Sequence, residues 1–364
     1  MESFRSFITE AAFNRGDVGE VVLGAALTAK FRKPDTSEVT TAEVEQIVKE
    51  VLRGRRPTKR YKRTDVIEVE EVFDKILFRV SVPEKAVKFL KGKDLSKVTD
   101  LFKSSVKYVN GDKRLGRQAK TLRRNGKVDS IVIDSDGLGD QKGTKIDIKL
   151  TVNGKKTRNQ ISLKVTGGER FAQVSGSGFD KQQSLWTDGL GLDISSFKSS
   201  YEQAMKDHDP KLRFTSRDDP MAEEQKDIVK SAMKLMYQNA TTELNKMFEG
   251  PDVAFMKRLI DFISDGIAKD DQRYIELVKL DKGSFKSIRP GSKGFRELVS
   301  GLDLVAEFKD MNNPVLVIKD KTSGKPLIEV QGITELQPNK TKEYYKVYAR
   351  NYIKAPANSI LYSV

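Results

Sequence analysis

The 364-residue sequence predicts an α/β protein with a central mixed sheet, flanking helices, a helical segment and a β-rich C-terminal part. Three observations indicate this class. Apolar residues near the N-terminus recur at helical spacing, three short strand patterns follow one another in mid-chain, and strand patterns return after a second helical stretch. We therefore expect a core with N-terminal helices at 1–180, a helical segment at 181–272 and a β-rich region at 273–364.

The N-terminal part alternates between helix and strand patterns. Spacings of three and four predict helix over 4–32, interrupted before Asp17, which we expect to cap a second helix. A further helix is expected over 42–52, since its apolar residues share one face. After a basic run, alternation of apolar and polar residues predicts strands over 66–71 and 75–82.

Three strands are expected in the middle of the chain, over 128–133, 144–152 and 159–165. Asn153-Gly154 is typical of a tight hairpin turn between the second and the third. Asp147 then points away from the apolar face of its strand. Further on, the patterns predict helices over 223–248 and 253–268 and strands over 274–280, 302–308, 315–319, 327–331 and 343–352.

Composition excludes several classes of site. The chain has no cysteine, which excludes disulfides, thiolate zinc sites and cysteine nucleophiles. Its single histidine, His208, excludes multi-histidine metal sites. No apolar stretch approaches the ~18 residues of a membrane-spanning helix, and the N-terminus lacks the pattern of a secretory signal. We therefore expect a cytoplasmic protein without a membrane partner, in which any hydrolysis depends on carboxylates, lysine and a hard metal ion.

Positive charge is concentrated in three segments. The net charge is +14, yet residues 53–63, 103–127 and 142–170 carry +7, +8 and +6, so the rest of the chain is acidic overall. Lysines and arginines clustered in this way neutralise phosphates and release counterions, which favours nucleic acid as a partner. Solvated faces or linkers are the alternative interpretation. The residues that we expect at a nucleic-acid interface are Arg55, Arg56, Arg60, Arg114, Arg117, Arg123, Arg124 and Lys145.

Two neighbouring strands of the predicted sheet carry an acid and a lysine. Asp147 precedes the hairpin turn and Lys164 follows it, 17 residues later, so antiparallel pairing would bring a carboxylate and an ammonium group together. The carboxylate can bind Mg²⁺, which neutralises a scissile phosphate and lowers the pKa of a bound water, while the lysine orients that water or stabilises developing charge. The alternative is an ordinary cross-strand surface pair, worth roughly 0.2 to 1 kcal/mol.

The segment 143–165, with Asp147 followed by Ser162-Leu163-Lys164, resembles the PD-(D/E)xK nuclease superfamily, and the resemblance extends over roughly residues 15–180. It implies a restriction-endonuclease-like central sheet, in which Asp147 and the main-chain carbonyl of Leu163 bind Mg²⁺ or Mn²⁺. It implies that Lys164 assists the attacking water. Many members also place a metal-binding glutamate on an N-terminal helix, and Glu20 is the candidate here.

Ser162 departs from the superfamily pattern, which has an acid at this position. A neutral hydroxyl is a weaker metal ligand, so Glu20, Asp129 or Asp134 would have to supply a further carboxylate. Gln173 follows the lysine strand and is expected to orient the water or to contact phosphate. The expected catalytic set is Glu20, Asp147, Ser162, Lys164 and Gln173, and the expected metal ligands are Glu20, Asp147 and Leu163.

The resemblance implies a phage-encoded, metal-dependent deoxyribonuclease that acts on DNA in the host cytoplasm, and it leaves a homodimer open. A non-catalytic nucleic-acid-binding or virion-associated protein on a degenerate nuclease scaffold is the first alternative, and Ser162 would then mark the lost activity. An assembly protein whose basic segments meet acidic protein surfaces is the second alternative.

Overall fold

The computed structural model describes residues 15–33, 37–53, 66–92, 95–124, 130–135, 146–157, 160–165, 170–268, 275–339 and 343–363. The chain forms two compact units. The first comprises residues 1–168 and 272–289, and the second comprises residues 169–271 and 290–364. The chain therefore leaves the first unit and returns to it, whereas we expected three consecutive segments.

The described residues include ten helices, of which three were expected with similar bounds. Asp219 caps the longest by accepting a hydrogen bond from the backbone N–H of Met221, with Pro220 at the first helical position. None of the described helices combines the length and the apolar composition that a bilayer crossing requires. The helices are α1 Arg15–Arg32, α2 Thr41–Arg53, α3 Glu84–Lys91, α4 Thr99–Gly111, α5 Lys113–Arg124, α6 Phe179–Gln183, α7 Lys198–Ala204, α8 Pro220–Glu249, α9 Val253–Ala268 and α10 Lys293–Ser300.

Thirteen strands in the described residues form two sheets. The strands are β1 Val66–Phe73, β2 Ile76–Pro83, β3 Ile131–Ser135, β4 Ile148–Val152, β5 Lys155–Lys156, β6 Gln160–Lys164, β7 Arg170–Ser175, β8 Ile275–Asp281, β9 Ser284–Ile288, β10 Leu304–Asp310, β11 Pro314–Asp320, β12 Pro326–Pro338 and β13 Tyr345–Lys354. The first sheet is mixed, and with the helices it confirms the α/β class. The C-terminal part is β-rich, as expected.

The first sheet has the order β1-β2-β3-β4-β6-β8-β9, with β5 paired to β4. Two pairs are parallel, β2 with β3 and β6 with β8, and the other pairs are antiparallel. Asn153 and Gly154 have φ values of 48° and 75°, so they form the expected tight turn at the end of β4. Strand β4, which begins directly after Asp147, is the neighbour of β6, which ends at Lys164.

Helix α1 packs against this sheet and against α2 and α4, and every residue from 18 to 31 is buried. Two glycines allow the close approach. A Cβ at Gly19 would overlap the Val165 side chain, and one at Gly24 would overlap the Phe78 ring. Asp17 lies within the first turn of α1 because the helix already begins at Arg15, so its predicted capping position is wrong. The expected helix before residue 15 falls outside the described residues.

The second sheet is antiparallel and has the order β10-β11-β12-β13-β7. Helix α8 packs on one of its faces. Met233 and Tyr237 of α8 approach so closely that a Cβ at Gly332 of β12 would overlap Met233. Trp186 is fully buried and meets the Tyr237 ring edge-on, with ring centroids 5.2 Å apart. This unit therefore has its own apolar core between helix and sheet.

Candidate active site

The strands β4 and β6 separate at Asp147. Ile148 pairs with Ile161, and the N–H of Asp147 donates to the carbonyl of Ile161 at 2.8 Å. Two residues further along β6, the N–H of Leu163 donates to Oδ2 of Asp147 at 2.5 Å. If β4 and β6 went on pairing beyond this point, a backbone carbonyl would accept from Leu163. The Asp147 carboxylate accepts this hydrogen bond instead. This hydrogen bond fixes the carboxylate at the end of the sheet.

Ser162 and Lys164 lie on either side of Leu163 and complete the surroundings of Asp147. The Ser162 hydroxyl donates to the same Oδ2 in a longer hydrogen bond of 3.4 Å. Burial raises the pKa of Asp147 above its usual value, while the charge of Lys164 and the hydrogen bonds from Leu163 and Ser162 act in the opposite direction. Because burial outweighs them, a further positive charge near this carboxylate would stabilise its ionised form.

Glu20 is placed at the same end of the sheet by α1. Its carbonyl accepts a hydrogen bond from the Ser135 hydroxyl, at the last residue of β3, at 3.1 Å. The preceding residue, Gly19, rests against Leu163 and Val165. Since Ser162 and Lys164 alternate with these two residues along β6, their side chains lie on the opposite face of the sheet from α1. Glu20 is buried, and its backbone lies on the helix side of the sheet.

The acids expected to compensate for Ser162 do not form a closed cluster among the described residues. Asp129 lies outside those residues. Asp134 is on β3 opposite Lys149. Within the described ranges, no three acidic or imidazole side chains lie close enough together to hold a metal ion. The predicted meeting of several carboxylates is therefore not found in that part of the chain.

The donors near Asp147 nevertheless suit magnesium. Mg²⁺ is usually held by only one or two carboxylates, with waters and substrate phosphates completing its octahedron. Asp147 supplies one carboxylate, and its burial leaves that charge incompletely compensated. The N–H and C=O of a strand residue point to the same side, so the carbonyl of Leu163 also faces the Asp147 side. The expected ligands Asp147 and Leu163 thus fit a magnesium ion, with Glu20 at the same sheet end.

Gln173 belongs to the other unit. It lies on β7, opposite Tyr352 of β13, and its amide donates to the Ser175 hydroxyl at 2.5 Å. The sequence placed it after the lysine strand, where it was expected to orient the water or to contact phosphate. The chain instead joins the second sheet at residue 170, so a role of Gln173 beside Lys164 stays a prediction.

The expected nucleic-acid-binding residues divide into three groups. Arg55, Arg56, Arg60 and Lys145 lie outside the described residues, as do the side chains of Arg123 and Arg124, whose backbone continues α5. Arg117 is exposed on α5. Arg114 is engaged in ion pairs instead, at 3.1 Å from Asp112 and 2.5 Å from Glu276.

Arg114 is part of a buried ionic network that joins α5 to β8 and to Arg289, which follows β9. Arg289 pairs with Asp112 at 2.7 Å and with Glu276 at 3.0 Å, and the hydroxyl of Tyr108 donates to Glu276 at 3.1 Å. Burial alone would raise the pKa of Asp112, but the hydrogen bonds and charges of Arg114 and Arg289 outweigh it and lower that pKa. Arg114 therefore serves the fold of the first unit.

Two lysines beside the candidate site were not predicted from the sequence. Lys279 of β8 is the register partner of Lys164, and Lys286 of β9 is the partner of Lys279. Directly paired residues share a face, so these lysines form a row across three strands that begins beside Asp147. Parallel pairing of strands more than 100 residues apart leaves no local signal, which is why the sequence did not indicate the row.

Comparison with protein-family models, with curated proteins and with solved structures gave no significant match. The resemblance to the PD-(D/E)xK superfamily therefore rests on the residues themselves. Of these, Asp147, Leu163 and Lys164 lie together at the end of the sheet, with Ser162 beside them.

Proposed function

We propose that this protein hydrolyses phosphodiester bonds of DNA in a Mg²⁺-dependent reaction at the end of β4 and β6. The observation that carries the proposal is the carboxylate of the half-buried Asp147, which is held by the N–H of Leu163 beside the charge of Lys164 and whose pKa is raised by partial burial. Carboxyl groups whose pKa is shifted by burial beside a specific charged partner cluster at functional sites. An ordinary surface pair would not need the backbone hydrogen bond or the burial.

Each residue has a defined task in this proposal. Asp147 and the carbonyl of Leu163 would hold the metal ion, with Glu20 as a further ligand. The bound ion supplies charge neutralisation at the phosphate and a lower pKa for a coordinated water. Lys164 donates hydrogen bonds to a phosphate oxygen and stabilises the negative charge that develops there. Ser162 donates to Asp147 and keeps its carboxylate oriented.

The lysine row adds positive charge beside Asp147. Lys164 and Lys286 are half-buried and flank the buried Lys279 on the same face of the sheet, so their combined field attracts a phosphate backbone. Arg117 and the basic segments outside the described residues add sequence-independent affinity. The adjacent antiparallel strands β4 and β6 within a mixed sheet agree with a restriction-endonuclease-like fold, which we include in the proposal.

A second candidate function is nucleic-acid binding without hydrolysis. The observation that favours it is Ser162 at the usual position of the second acid, together with the lack of a three-acid cluster among the described residues. In that case the lysine row and the basic segments would bind DNA, and Asp147 would only hold the strand ends. Phage origin, action in the host cytoplasm and a homodimer stay predictions.

A plasmid-cleavage assay separates the two functions. We expect the wild type to nick or linearise DNA in Mg²⁺ and to be inactive in EDTA. Asp147→Asn and Lys164→Ala should each slow cleavage by roughly 100-fold or more, because each removes charge that acts on the reacting phosphate. Lys149→Ala is the matched control, since Lys149 is also half-buried on this sheet but lies opposite Asp134.

DNA affinity is measured in parallel by filter binding in EDTA. If the wild type binds DNA yet does not cleave it in Mg²⁺ or Mn²⁺, the binding function replaces the nuclease. If Asp147→Asn cleaves as fast as the wild type, the nuclease site lies elsewhere and the proposal is wrong.

A further inference from the structure

Strand β13 and the residue before it carry tyrosines and basic residues in strict alternation. Every second residue from 344 to 354 belongs to the series, which we call the tyrosine–basic ladder. Its members are Tyr344, Lys346, Tyr348, Arg350, Tyr352 and Lys354. Successive side chains on one face of a strand are about 6.6 Å apart, so the ladder spans roughly 33 Å. It thus presents rings and charges alternately along one line.

The ladder lies on the face of the second sheet opposite helix α8. The residues between its members, Ala349, Asn351 and Ile353, are buried, and the hydroxyl of Tyr237 on α8 donates to Asn351 at 2.8 Å. On the other face Tyr348 is 41% exposed and Tyr344 is half-buried, whereas Tyr352 is buried beneath the guanidinium group of Arg170. The neighbouring strand β7 presents Gln173 and Ser175, which are exposed, beside Tyr352 and Arg350. This face therefore offers aromatic and polar groups to solvent.

Guanidinium groups lie over the tyrosine rings along the ladder. Arg170 of β7 stands 3.9 Å from the centre of the Tyr352 ring, and Arg213 stands 5.2 Å from that of Tyr344. Arg350 is 5.9 Å from the Tyr348 ring centre and also donates to the Tyr352 hydroxyl at 3.0 Å. These contacts hold planar groups in fixed orientations, so the side chains that carry them lose less entropy when a base stacks on them.

The charge of this face is positive after its internal ion pairs are counted. Glu335 pairs with Arg350 at 3.1 Å, and Glu329 pairs with Lys354 at 2.8 Å. Lys346, Arg170 and Arg213 add positive charge beyond these pairs. The positive charges lie next to the rings, so a polyanion whose backbone follows β13 would bring its flat groups to the tyrosines.

We propose that the tyrosine–basic ladder binds single-stranded nucleic acid. Single strands are held by positive charge along the backbone and by base stacking on aromatic or guanidinium planes, and every base can stack in this way. A duplex hides the faces of its bases and cannot use the rings. The site lies in the second unit and uses none of the residues of the proposed nuclease site, so the two proposals stand independently.

The test is the fluorescence anisotropy of a labelled oligodeoxythymidine of about 20 nucleotides, longer than the ~4 to 16 nucleotides that single-strand-binding folds cover. The full-length chain is titrated in EDTA. We expect Tyr348→Ala to weaken binding roughly tenfold or more and Tyr348→Phe to restore it, because the ring and not the hydroxyl stacks. Lys346→Ala should make the plot of the logarithm of the association constant against the logarithm of the salt concentration less steep, by about 0.7 in slope.

Two surface variants serve as controls. Met311→Ala removes an exposed apolar side chain from the β10–β11 turn, and Lys293→Ala removes an exposed charge from α10. Both should bind as the wild type does. The proposal is overturned if Tyr348→Ala, with an unchanged melting temperature, binds the oligonucleotide like the wild type. It is also overturned if a duplex of equal length binds more tightly and depends on the same tyrosine.

Discussion

Asp147 is a residue whose surroundings do not favour its charge. Burial raises the pKa of its carboxyl, against the charge of Lys164 and the hydrogen bonds from Leu163 and Ser162. A carboxyl with a raised pKa in the folded state stabilises the fold most at low pH. That contribution is lost as the pH rises from the unfolded value through the folded one, so at neutral pH Asp147 lowers the stability of the protein.

Asp147→Asn should therefore raise the stability of the protein at pH 7. The amide oxygen of asparagine still accepts from Leu163, and no charge is partly removed from water. Denaturant unfolding is expected to show a higher midpoint than the wild type at pH 7, with the difference disappearing below about pH 3.9, the ordinary pKa of aspartate. Asp227→Asn, on the exposed surface of α8, should have no such effect. A lower midpoint for Asp147→Asn at pH 7 would contradict this account.

Ser162→Asp restores the acid that the superfamily pattern has at this position. Ser162 is buried and its hydroxyl lies 3.4 Å from Asp147, so two carboxylates would repel each other there. We expect a lower melting temperature in EDTA and a larger rise on addition of Mg²⁺ than the wild type shows, measured by thermal unfolding. If Mg²⁺ stabilises the variant no more than it stabilises the wild type, these residues do not surround a cation site.

At the scale of elements, the position of Glu20 depends on the close contact of α1 with the end of β6. Only a glycine at position 19 leaves room for the Val165 and Leu163 side chains. The sequence predicted a helix here, but a helix buried on all sides has no polar face from which its orientation can be read. The helix was therefore predicted correctly. The face of the helix on which Glu20 lies could not be predicted from the sequence.

Gly19→Ala should destabilise the first unit by about 1 to 3 kcal/mol, because the added methyl overlaps Val165 in a packed interior. Gly116→Ala is the matched control. Its Cβ would meet nothing within 4 Å on α5, so we expect a gain of about 0.5 to 1 kcal/mol from the better helix propensity. Equal effects of the two substitutions in urea unfolding would show that the α1–β6 contact is not tight.

Elements with a strong periodic pattern were predicted well, and those defined by distant partners were not. Helices α2, α8 and α9 and the hairpin turn at Asn153 followed from local signals. Strand β7 was missed because its pairing partner, β13, lies far along the chain. The basic segment 103–127 was expected to form a surface. It lies largely in α4 and α5, where Arg114 pairs with Asp112 and Glu276.

At the scale of the whole molecule, the chain builds part of the second unit between two strands of the first and the rest after it has returned to the first. Strand β6 ends at Lys164, and its parallel neighbour β8 begins only at Ile275. The sequence showed both strands but could not show their pairing, since parallel neighbours need a long crossover and carry no turn signal. The pair Asp147 and Lys164 was predictable because a short hairpin separates it, whereas the lysine row required the fold.

The ionic network at Arg289 should hold the returning segment β8–β9 in the first unit. Arg289→Met would leave the buried Asp112 and Glu276 with less compensation, and we expect a loss of about 3 kcal/mol at pH 7. The pKa of Asp112 is lowered in the folded state, so its stabilisation is present above the unfolded pKa and is lost as the pH falls through the folded one.

Urea unfolding at pH 7 and at about pH 3 measures both effects. The exposed pair Lys293–Glu297 is the control, and Lys293→Ala should change stability by less than about 0.5 kcal/mol. If Arg289→Met proves as mild as Lys293→Ala, the network does not stabilise the returning segment.

The most direct test of the magnesium site is paramagnetic broadening by Mn²⁺ in the NMR spectrum of the full-length chain. Substoichiometric Mn²⁺ should selectively broaden the amide resonances of Asp147, Leu163 and Lys164, because the ion would be bound by the Asp147 carboxylate and the Leu163 carbonyl. In Asp147→Asn these resonances should stay sharp. Sharp resonances in the wild type, or equal broadening in the variant, would contradict a metal site at the end of β4 and β6.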